Sequence, residues 1–314
     1  MSGEAGGGVQ GVLALGDPAE RARMWELPDR RVVMMVSAIA GVAFVAVFTL
    51  IFSAMGAGEA PSHPPPAAVG KDVPAGAAAP GHTAAPGGVD ARRLAILLLD
   101  YPSKHFPYPF TIQNFMHVLF FIGVGELFVR WRVGEREMRF TKRRYLPEDD
   151  ETVLQFADLG AIRRQVSKAF DGEHGFLPSL IDLSVLQFQA SRSVDQTAAV
   201  MNTSLELIAH RVELRYGLVR FIAWLVPTIG FIGTVYGLGA SLYEAGASTE
   251  INVQETARSL GVGFDCTMVA LMQSAVLVFL MHFAQEKEEL SVNLSGTYCL
   301  RHLINRLYTG RPSA

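Results

Sequence analysis

The chain has 314 residues, half of them hydrophobic, and a formal net charge of −3. A charge so close to neutral gives no support for binding nucleic acid or another polyanion. The two cysteines lie in no ligand-like spacing, which argues against a disulfide or a metal site. The sequence also contains no Walker loop, zinc-binding His and Glu pair or serine elbow, so we expect neither an enzyme nor a cofactor.

Four apolar runs are long enough to cross a bilayer. Crossing about 30 Å of hydrocarbon takes roughly 20 helical residues. The predicted transmembrane segments are residues 32–55, 110–129, 218–242 and 262–284. Helical patterning continues through the stretch between the second and third segments. The sequence therefore predicts an all-α membrane protein with four transmembrane helices and long cytoplasmic helical extensions.

The basic residues beside the spans set the predicted orientation. Arginines precede the first span, and the strongly basic stretch RWRVGEREMRFTKRR follows the second. The connection between the third and fourth spans carries more acidic than basic residues. We therefore expect both termini in the cytoplasm. The predicted cytoplasmic parts are residues 1–31, 130–217 and 285–314, and the predicted periplasmic parts are residues 56–109 and 243–261.

The connecting segments differ in composition. Residues 56–109 begin with a linker rich in proline, alanine and glycine and end in an apolar, aromatic segment suited to the membrane interface. Residues 183–216 contain neither proline nor glycine, so we expect the third span to extend inwards as one long helix. The tail is predicted to form one helix with a single apolar stripe: Leu300, Leu303, Ile304 and Leu307.

The third span carries small and polar residues at helical steps of three and four, which places them on one face. These residues are Pro227, Gly230, Thr234, Gly237 and Ser241, and Gly233 forms a GxxxG pair with Gly237. Small residues on one face allow another backbone to approach closely. Taken alone, this pattern favours simple helix packing.

The fourth span repeats the arrangement around its own threonine. Gly263, Thr267, Ala270 and Ser274 again follow steps of three and four. Counted from the cytoplasmic ends of their spans, Thr234 and Thr267 lie at nearly equal depth, so an antiparallel pair of helices would place their hydroxyls level. Two interpretations remain open. Each hydroxyl bonds to a carbonyl of its own helix, or the two form a shared polar lining.

The third span, VPTIGFIGTVYGLGASL, resembles the proline-led, glycine-rich helix of the MotA/TolQ/ExbB proton-channel family. The segment FDCTMVALMQSAVLVFLMHFAQEKEE resembles the threonine-bearing helix that follows it in that family. The resemblance covers about residues 223–289. It implies a pentamer in the bacterial inner membrane, built around two single-span partner helices of the TolR/ExbD/MotB type whose aspartate carries the proton. It further implies that Thr234 and Thr267 line the ion path and that Pro227 shapes the third helix.

One position departs from the family's pattern. TolQ and ExbB relatives have an acidic residue about five positions before the fourth-span threonine, where this chain has Val262. Asp265 stands two positions before Thr267 and therefore on another side of the helix. It is interpreted as an accessory polar residue, together with Ser241 and Ser274. An access path, a contact with a neighbouring subunit and a position at the outer interface all remain open for Asp265.

We interpret three further polar residues within the spans as structural residues. Glu126 precedes Arg130 by four positions, which predicts an ion pair within one helix. His117 has no partner that the sequence identifies, so we interpret it as a packing residue rather than a proton relay. Gln273 is expected to bond across helices.

Two functions follow from these patterns. The first is the ion-conducting subunit, with the proton as the expected ion, of a complex that couples the ion-motive force to mechanical work through its single-span partner. The second is a membrane scaffold of the same fold that assembles without conducting ions. A conducting subunit requires a partner protein with an aspartate in its transmembrane segment. A scaffold requires no such partner.

Overall fold

The computed structural model describes residues 29–55, 91–100, 107–149, 153–166, 175–247 and 253–308. Within these ranges the chain forms eight α-helices and one short 3₁₀ turn, at Ile304–Arg306. The helices are α1 Arg30–Ala54, α2 Ala91–Leu99, α3 Ile112–Thr141, α4 Phe156–Val166, α5 Phe176–Ser191, α6 Val194–Arg215, α7 Gly217–Ala247 and α8 Val253–His302. The predicted N-terminal segment up to residue 28 and the linker from residue 56 to residue 90 lie outside the described residues.

Four of these helical stretches are long and apolar enough to cross a membrane, and they contain α1, α3, α7 and α8. Their lengths exceed what the hydrocarbon layer requires, because α8 alone has 50 residues and about 20 suffice to cross it. The predicted fold class, an all-α protein with four transmembrane helices and long helical extensions, is confirmed. The boundaries drawn between membrane and water within each helix remain predictions.

The chain divides into two compact units. The first unit contains residues up to 37, residues 122–223 and residues from 275 onwards. The second unit contains residues 38–121 and 224–274.

In the first unit, the helix predicted to run without a break from residue 183 into the third span is interrupted. Helix α5 ends at Ser191, and Arg192 adopts a left-handed backbone conformation with φ of 51°. Ser193 then caps α6, its side chain accepting a hydrogen bond from the Gln196 N–H. A serine at the N-cap satisfies a backbone donor that would otherwise lack a partner. The prediction of one helix is therefore wrong at this point, because capping can begin a new helix without proline or glycine.

The tail also differs from its prediction. Helix α8 continues from the fourth span to His302, and the chain then leaves the helix. Leu303 and Ile304 are buried, whereas Leu300 is exposed. Leu307 forms an isolated parallel bridge with Leu154. The prediction of one apolar stripe on a single helix is therefore wrong. Leu300 lies in α8, Leu303 and Ile304 lie in the turn after its end, and Leu307 lies in the bridge.

Buried carboxylates connect the helices of the first unit. Glu126 is fully buried and pairs with Arg130, as predicted, at 2.8 Å, and also with Arg30 at 2.9 Å. Glu288 accepts hydrogen bonds from Arg215 at 2.9 Å and from the Tyr216 hydroxyl at 3.0 Å. Burial raises the pKa of Glu288 above its usual value, and the Arg215 charge opposes this rise.

Glu137 fixes the start of α5. Its two carboxylate oxygens each accept a backbone N–H at 2.8 Å, one from Gly175 and one from Phe176. These amides belong to the first turn of a helix, where N–H groups lack partners within the helix and negative charge is favoured. Burial nevertheless raises the pKa of Glu137, while the two amide hydrogen bonds lower it.

In the second unit, α2 packs on α1. Val45 and Phe52 of α1 form a buried apolar cluster with Ala95 and Leu99 of α2. Gly41 lets α1 approach α3 closely, since a Cβ atom there would lie 3.0 Å from the Val118 Cα atom. This packing holds the start of α3 beside the end of α2.

Candidate functional site

The hydroxyl oxygens of Thr234 on α7 and Thr267 on α8 lie within hydrogen-bonding distance of each other. Each also reaches a glycine carbonyl on the opposite helix. Thr234 Oγ1 donates to the Gly263 oxygen at 2.8 Å, and Thr267 Oγ1 donates to the Gly230 oxygen at 2.9 Å. The bond from Thr234 to Gly230 in its own helix is longer, at 3.4 Å. The structure thus brings the two threonines together and bonds them mainly across helices.

The small residues on both spans make this approach possible. A Cβ atom on Gly230 would collide with the Ala270 methyl group, and one on Gly233 would lie 2.6 Å from the Cys266 sulfur. A Cβ atom on Gly263 would lie 3.3 Å from the Thr234 backbone. Larger side chains at these positions would therefore separate the helices and lengthen the bonds between them.

The two helices carry the same five-residue pattern, Gly-Phe-x-x-Thr. It reads GFIGT at residues 230–234 and GFDCT at residues 263–267. Each threonine bonds to the glycine carbonyl of the other copy, and both phenylalanines of the pattern are exposed. This repeated pattern is the sequence feature from which the reciprocal hydrogen bonds could have been predicted.

The site contains more hydrogen-bond acceptors than hydrogens. Two hydroxyl hydrogens serve three contacts: the two that join a hydroxyl to a glycine carbonyl and the one that joins the hydroxyls. Since each hydroxyl has one hydrogen and two lone pairs, at most two of the contacts are hydrogen-bonded at a time. Both threonines are only partly buried. The arrangement can therefore accept a further hydrogen bond from a donor that reaches it.

The other predicted site residues on α7 and α8 differ in their burial and hydrogen bonds. Pro227 lies inside α7, where it removes one backbone N–H. Gly237 is buried, and its carbonyl accepts a hydrogen bond from the buried Ser241 hydroxyl at 2.8 Å. Ser241 is thus bonded within its own helix. Ser274 is partly buried on α8.

Asp265 is not brought to the threonine pair. Its side chain is partly exposed, and the charge that acts on it is that of Arg93 on α2. Among the hydrogen bonds of the described residues, none joins Asp265 to Thr234 or Thr267. The separation of two residues along a helix, about 200°, accounts for this placement.

His117 has partners that the sequence did not reveal. Its ring bonds to the Leu98 carbonyl at 2.8 Å and to the Gln273 side chain at 2.6 Å. Gln273 therefore does bond across helices, from α8 to α3. The contacts join residues 19 and 156 positions apart, so no local spacing in the sequence could have indicated them.

Within the part of the chain that the structure describes, no three His, Cys, Asp or Glu side chains come together as a metal site would require. Both cysteines are free and buried. Cys266 packs beside Gly233 at the helix contact. The polar groups at the candidate site are thus hydroxyls and backbone carbonyls.

Comparison with known proteins gives one match. Residues 172–294 match the model of the MotA/TolQ/ExbB proton channel family. This segment includes α5 through most of α8 and contains both threonines. Searches of curated proteins and of solved structures found no match.

Proposed function

Because residues 172–294 match the model of the MotA/TolQ/ExbB proton channel family, we propose that the chain is a member of it and forms the ion path of an energy-transducing complex in the bacterial inner membrane. The complex couples the ion-motive force, most simply that of protons, to mechanical work. A single-span protein of the TolR/ExbD/MotB type receives that work. The observation that carries the proposal is the hydroxyl pair of Thr234 and Thr267.

The pair suits a path along which a carboxyl group gains and loses a proton. A protonated carboxyl of the partner can donate to the spare lone pairs of the two hydroxyls. After the proton leaves, either hydroxyl can turn its hydrogen towards the carboxylate. The lining thereby solvates both states without placing a fixed charge in the membrane, where ionised side chains are costly. The partner's transmembrane aspartate supplies the proton-carrying group in this scheme.

The other predicted residues receive supporting roles. Pro227 shapes α7 near the pair, and the glycines at 230, 233, 237 and 263 allow the close approach that aligns the hydroxyls. Ser241, Ser274 and Asp265 provide accessory polar groups further along the helices. For Asp265 we favour a role at the entry to the path, because its position near Arg93 separates it from the threonine contact.

Several copies of the chain are required to enclose such a path. Many large apolar side chains on α7 and α8 are exposed in the single chain, among them Phe231, Leu242, Met272 and Phe279. Lipid or neighbouring copies must cover them. By the family resemblance we propose a pentamer with both termini in the cytoplasm. Light scattering of the detergent-purified protein should give the mass of five chains, and a stable monomer would contradict the proposal.

The lining role is tested by removing each hydroxyl while keeping the side-chain shape. Thr234→Val and Thr267→Val should each reduce gradient-driven proton uptake by roughly ten- to a hundredfold. This corresponds to losing about 1.5 to 3 kcal/mol from a hydrogen bond to a charged group. Thr→Ser at either position retains the hydroxyl and should keep much of the activity. The assay uses vesicles that contain the chain and its cognate single-span partner.

Thr228 offers a matched control within α7. Its hydroxyl donates to the Trp224 carbonyl of its own helix at 2.9 Å, so Thr228→Val removes a hydroxyl without touching the pair. We expect normal uptake from this variant. If the Thr234 and Thr267 valine variants also assemble and conduct normally, the lining role is wrong. If the wild-type complex assembles but conducts no ions, the scaffold function replaces the channel.

A further inference from the structure

His117 occupies a second polar site in the second unit, away from the threonine pair. Its side chain is only 5% exposed. The ring meets three other helices: the Leu98 carbonyl of α2, the Gln273 amide of α8 and the Phe44 ring of α1, whose centroid lies 5.2 Å away. A histidine bonded at both ring nitrogens and held by four helices has a fixed position and orientation.

The hydrogen bonds define the state of the neutral ring. A carbonyl oxygen only accepts, so the Nε2 atom of His117 must carry a hydrogen and donate it to Leu98. The Nδ1 atom of the neutral ring is then an acceptor, and the Gln273 side-chain amide donates to it. This arrangement leaves Gln273 Oε1 buried with no hydrogen-bond partner among the described residues.

The unpaired oxygen of Gln273 gives the site a second state. When a proton binds to Nδ1, that atom becomes a donor. A half turn of the Gln273 amide then places Oε1 where the amide nitrogen was, and Oε1 accepts the new N–H. The bond from Nε2 to Leu98 persists. Both ring nitrogens therefore have partners whether the ring is neutral or charged.

The position of Leu98 favours the charged ring. Leu98 lies in the last turn of α2, which ends at Leu99, and its carbonyl belongs to the end of the helix where backbone acceptors lack partners. Positive charge is stabilised at this end of a helix. The groups that face the ring from α1, α2 and α8 are the Phe44 ring, this carbonyl and the Gln273 amide, and all three are uncharged.

The charged residues of the second unit are few among the side chains that the structure describes. They are Arg93 and Asp100 beside the two ends of α2, and Asp265 on α8. Among the described residues, no hydrogen bond or ion pair joins Arg93 or Asp265 to the ring. Burial disfavours the charged ring, and the Leu98 carbonyl and the Gln273 amide are the polar groups placed to offset that effect.

We propose that His117 is a proton-binding site of this protein, with Gln273 as a reversible amide partner that serves both protonation states. The proposal does not depend on the threonine pair or on a partner protein. If His117 titrates, the membrane-embedded half of the chain holds a second proton beside the one that the path transports.

The test uses the full-length protein labelled with [15N]histidine in lipid nanodiscs, without its partner. The chain has 8 histidines, and the signals missing from a His117→Gln variant identify those of His117. Glutamine at this position can donate to Leu98 and accept from Gln273 but does not bind a proton near neutral pH. Nitrogen chemical shifts distinguish a singly protonated ring from a doubly protonated one.

In the wild type we expect the His117 signals to pass from a ring protonated at Nε2 alone to one protonated at both nitrogens between about pH 8 and about pH 5. Gln273→Leu removes the acceptor for the charged ring and should lower the midpoint by about one to two pH units. Gln273→Glu supplies a negative charge and should raise it by about one to three units.

Two results would overturn the proposal. One is a His117 ring that stays singly protonated down to about pH 5 while size-exclusion chromatography shows an intact assembly. The other is a midpoint that neither Gln273 variant moves. If His117→Gln fails to assemble, the signals displaced in the Gln273 variants identify His117 instead.

Discussion

The close contact of α7 with α8 can be tested by adding a single methyl group. In Gly230→Ala the new Cβ atom would lie closer than 3.0 Å to the Ala270 Cβ atom, nearer than real side chains approach. Reaching an ordinary contact of ~3.5 Å requires the two Cβ atoms to move apart by about 1 Å. The bond from Thr267 to the Gly230 carbonyl, now 2.9 Å, lengthens with them.

A matched variant measures the loss of stability that the clash causes. Gly239 lies in the same helix, and a Cβ atom there meets nothing within 4 Å. Because both variants gain the same helix propensity from alanine, their difference isolates the clash. We expect Gly230→Ala to be less stable than Gly239→Ala by about 1 to 3 kcal/mol, the usual cost of overpacking. Thermal unfolding in detergent, followed by intrinsic fluorescence, gives the comparison.

A second substitution should reverse the effect. Ala270→Gly removes the methyl group that the Gly230→Ala side chain meets, so the double variant restores the volume at the contact. Most of the lost stability should return, together with proton uptake in the vesicle assay. The reasoning is refuted if Gly230→Ala is as stable as Gly239→Ala, or if Ala270→Gly gives no rescue.

Two further predictions concern carboxylates of the first unit. Burial raises the pKa of Glu288 in the folded protein, so the folded state binds more protons and this stabilisation is lost as the pH rises through the folded pKa. The stability of the wild type relative to Glu288→Gln should therefore increase as the pH falls from about 7 to about 4.5 in thermal unfolding measurements, and a flat difference would contradict the shift. Glu137→Ala leaves two buried amides without acceptors and should cost about 1 to 3 kcal/mol, whereas Glu135→Ala, at a surface ion pair, should change stability by less than about 0.5 kcal/mol. Equal effects would show that Glu137 does not fix α5.

The sequence predicted those features that depend on run length and spacing. Four spans followed from apolar runs, and a proline, glycines and a threonine at fixed offsets indicated the family whose model matches residues 172–294. Counting residues from the cytoplasmic ends of the two spans placed Thr234 and Thr267 at nearly equal depth. The structure brings their hydroxyls into contact. The identity of their acceptors was not predicted, because a threonine can bond to its own helix as easily as to a neighbour.

Other features depend on contacts between distant parts of the chain. Without the carbonyl of Leu98 and the amide of Gln273, His117 looks like a packing residue. The break at Arg192 is likewise invisible to a search for proline and glycine, because the Ser193 side chain starts the new helix. In both places the outcome depends on hydrogen bonds that the sequence pattern does not indicate.

The reciprocal bonds between α7 and α8 have a mechanical consequence. Sliding one helix past the other by a turn, about 5.4 Å, would break both bonds to the glycine carbonyls and drive the Ala270 methyl group out of the gap left by Gly230. These contacts therefore oppose sliding of α7 along α8 at this point. Within the second unit, the parts of α7 and α8 that meet at the threonines are therefore expected to bear load together rather than to slide past each other.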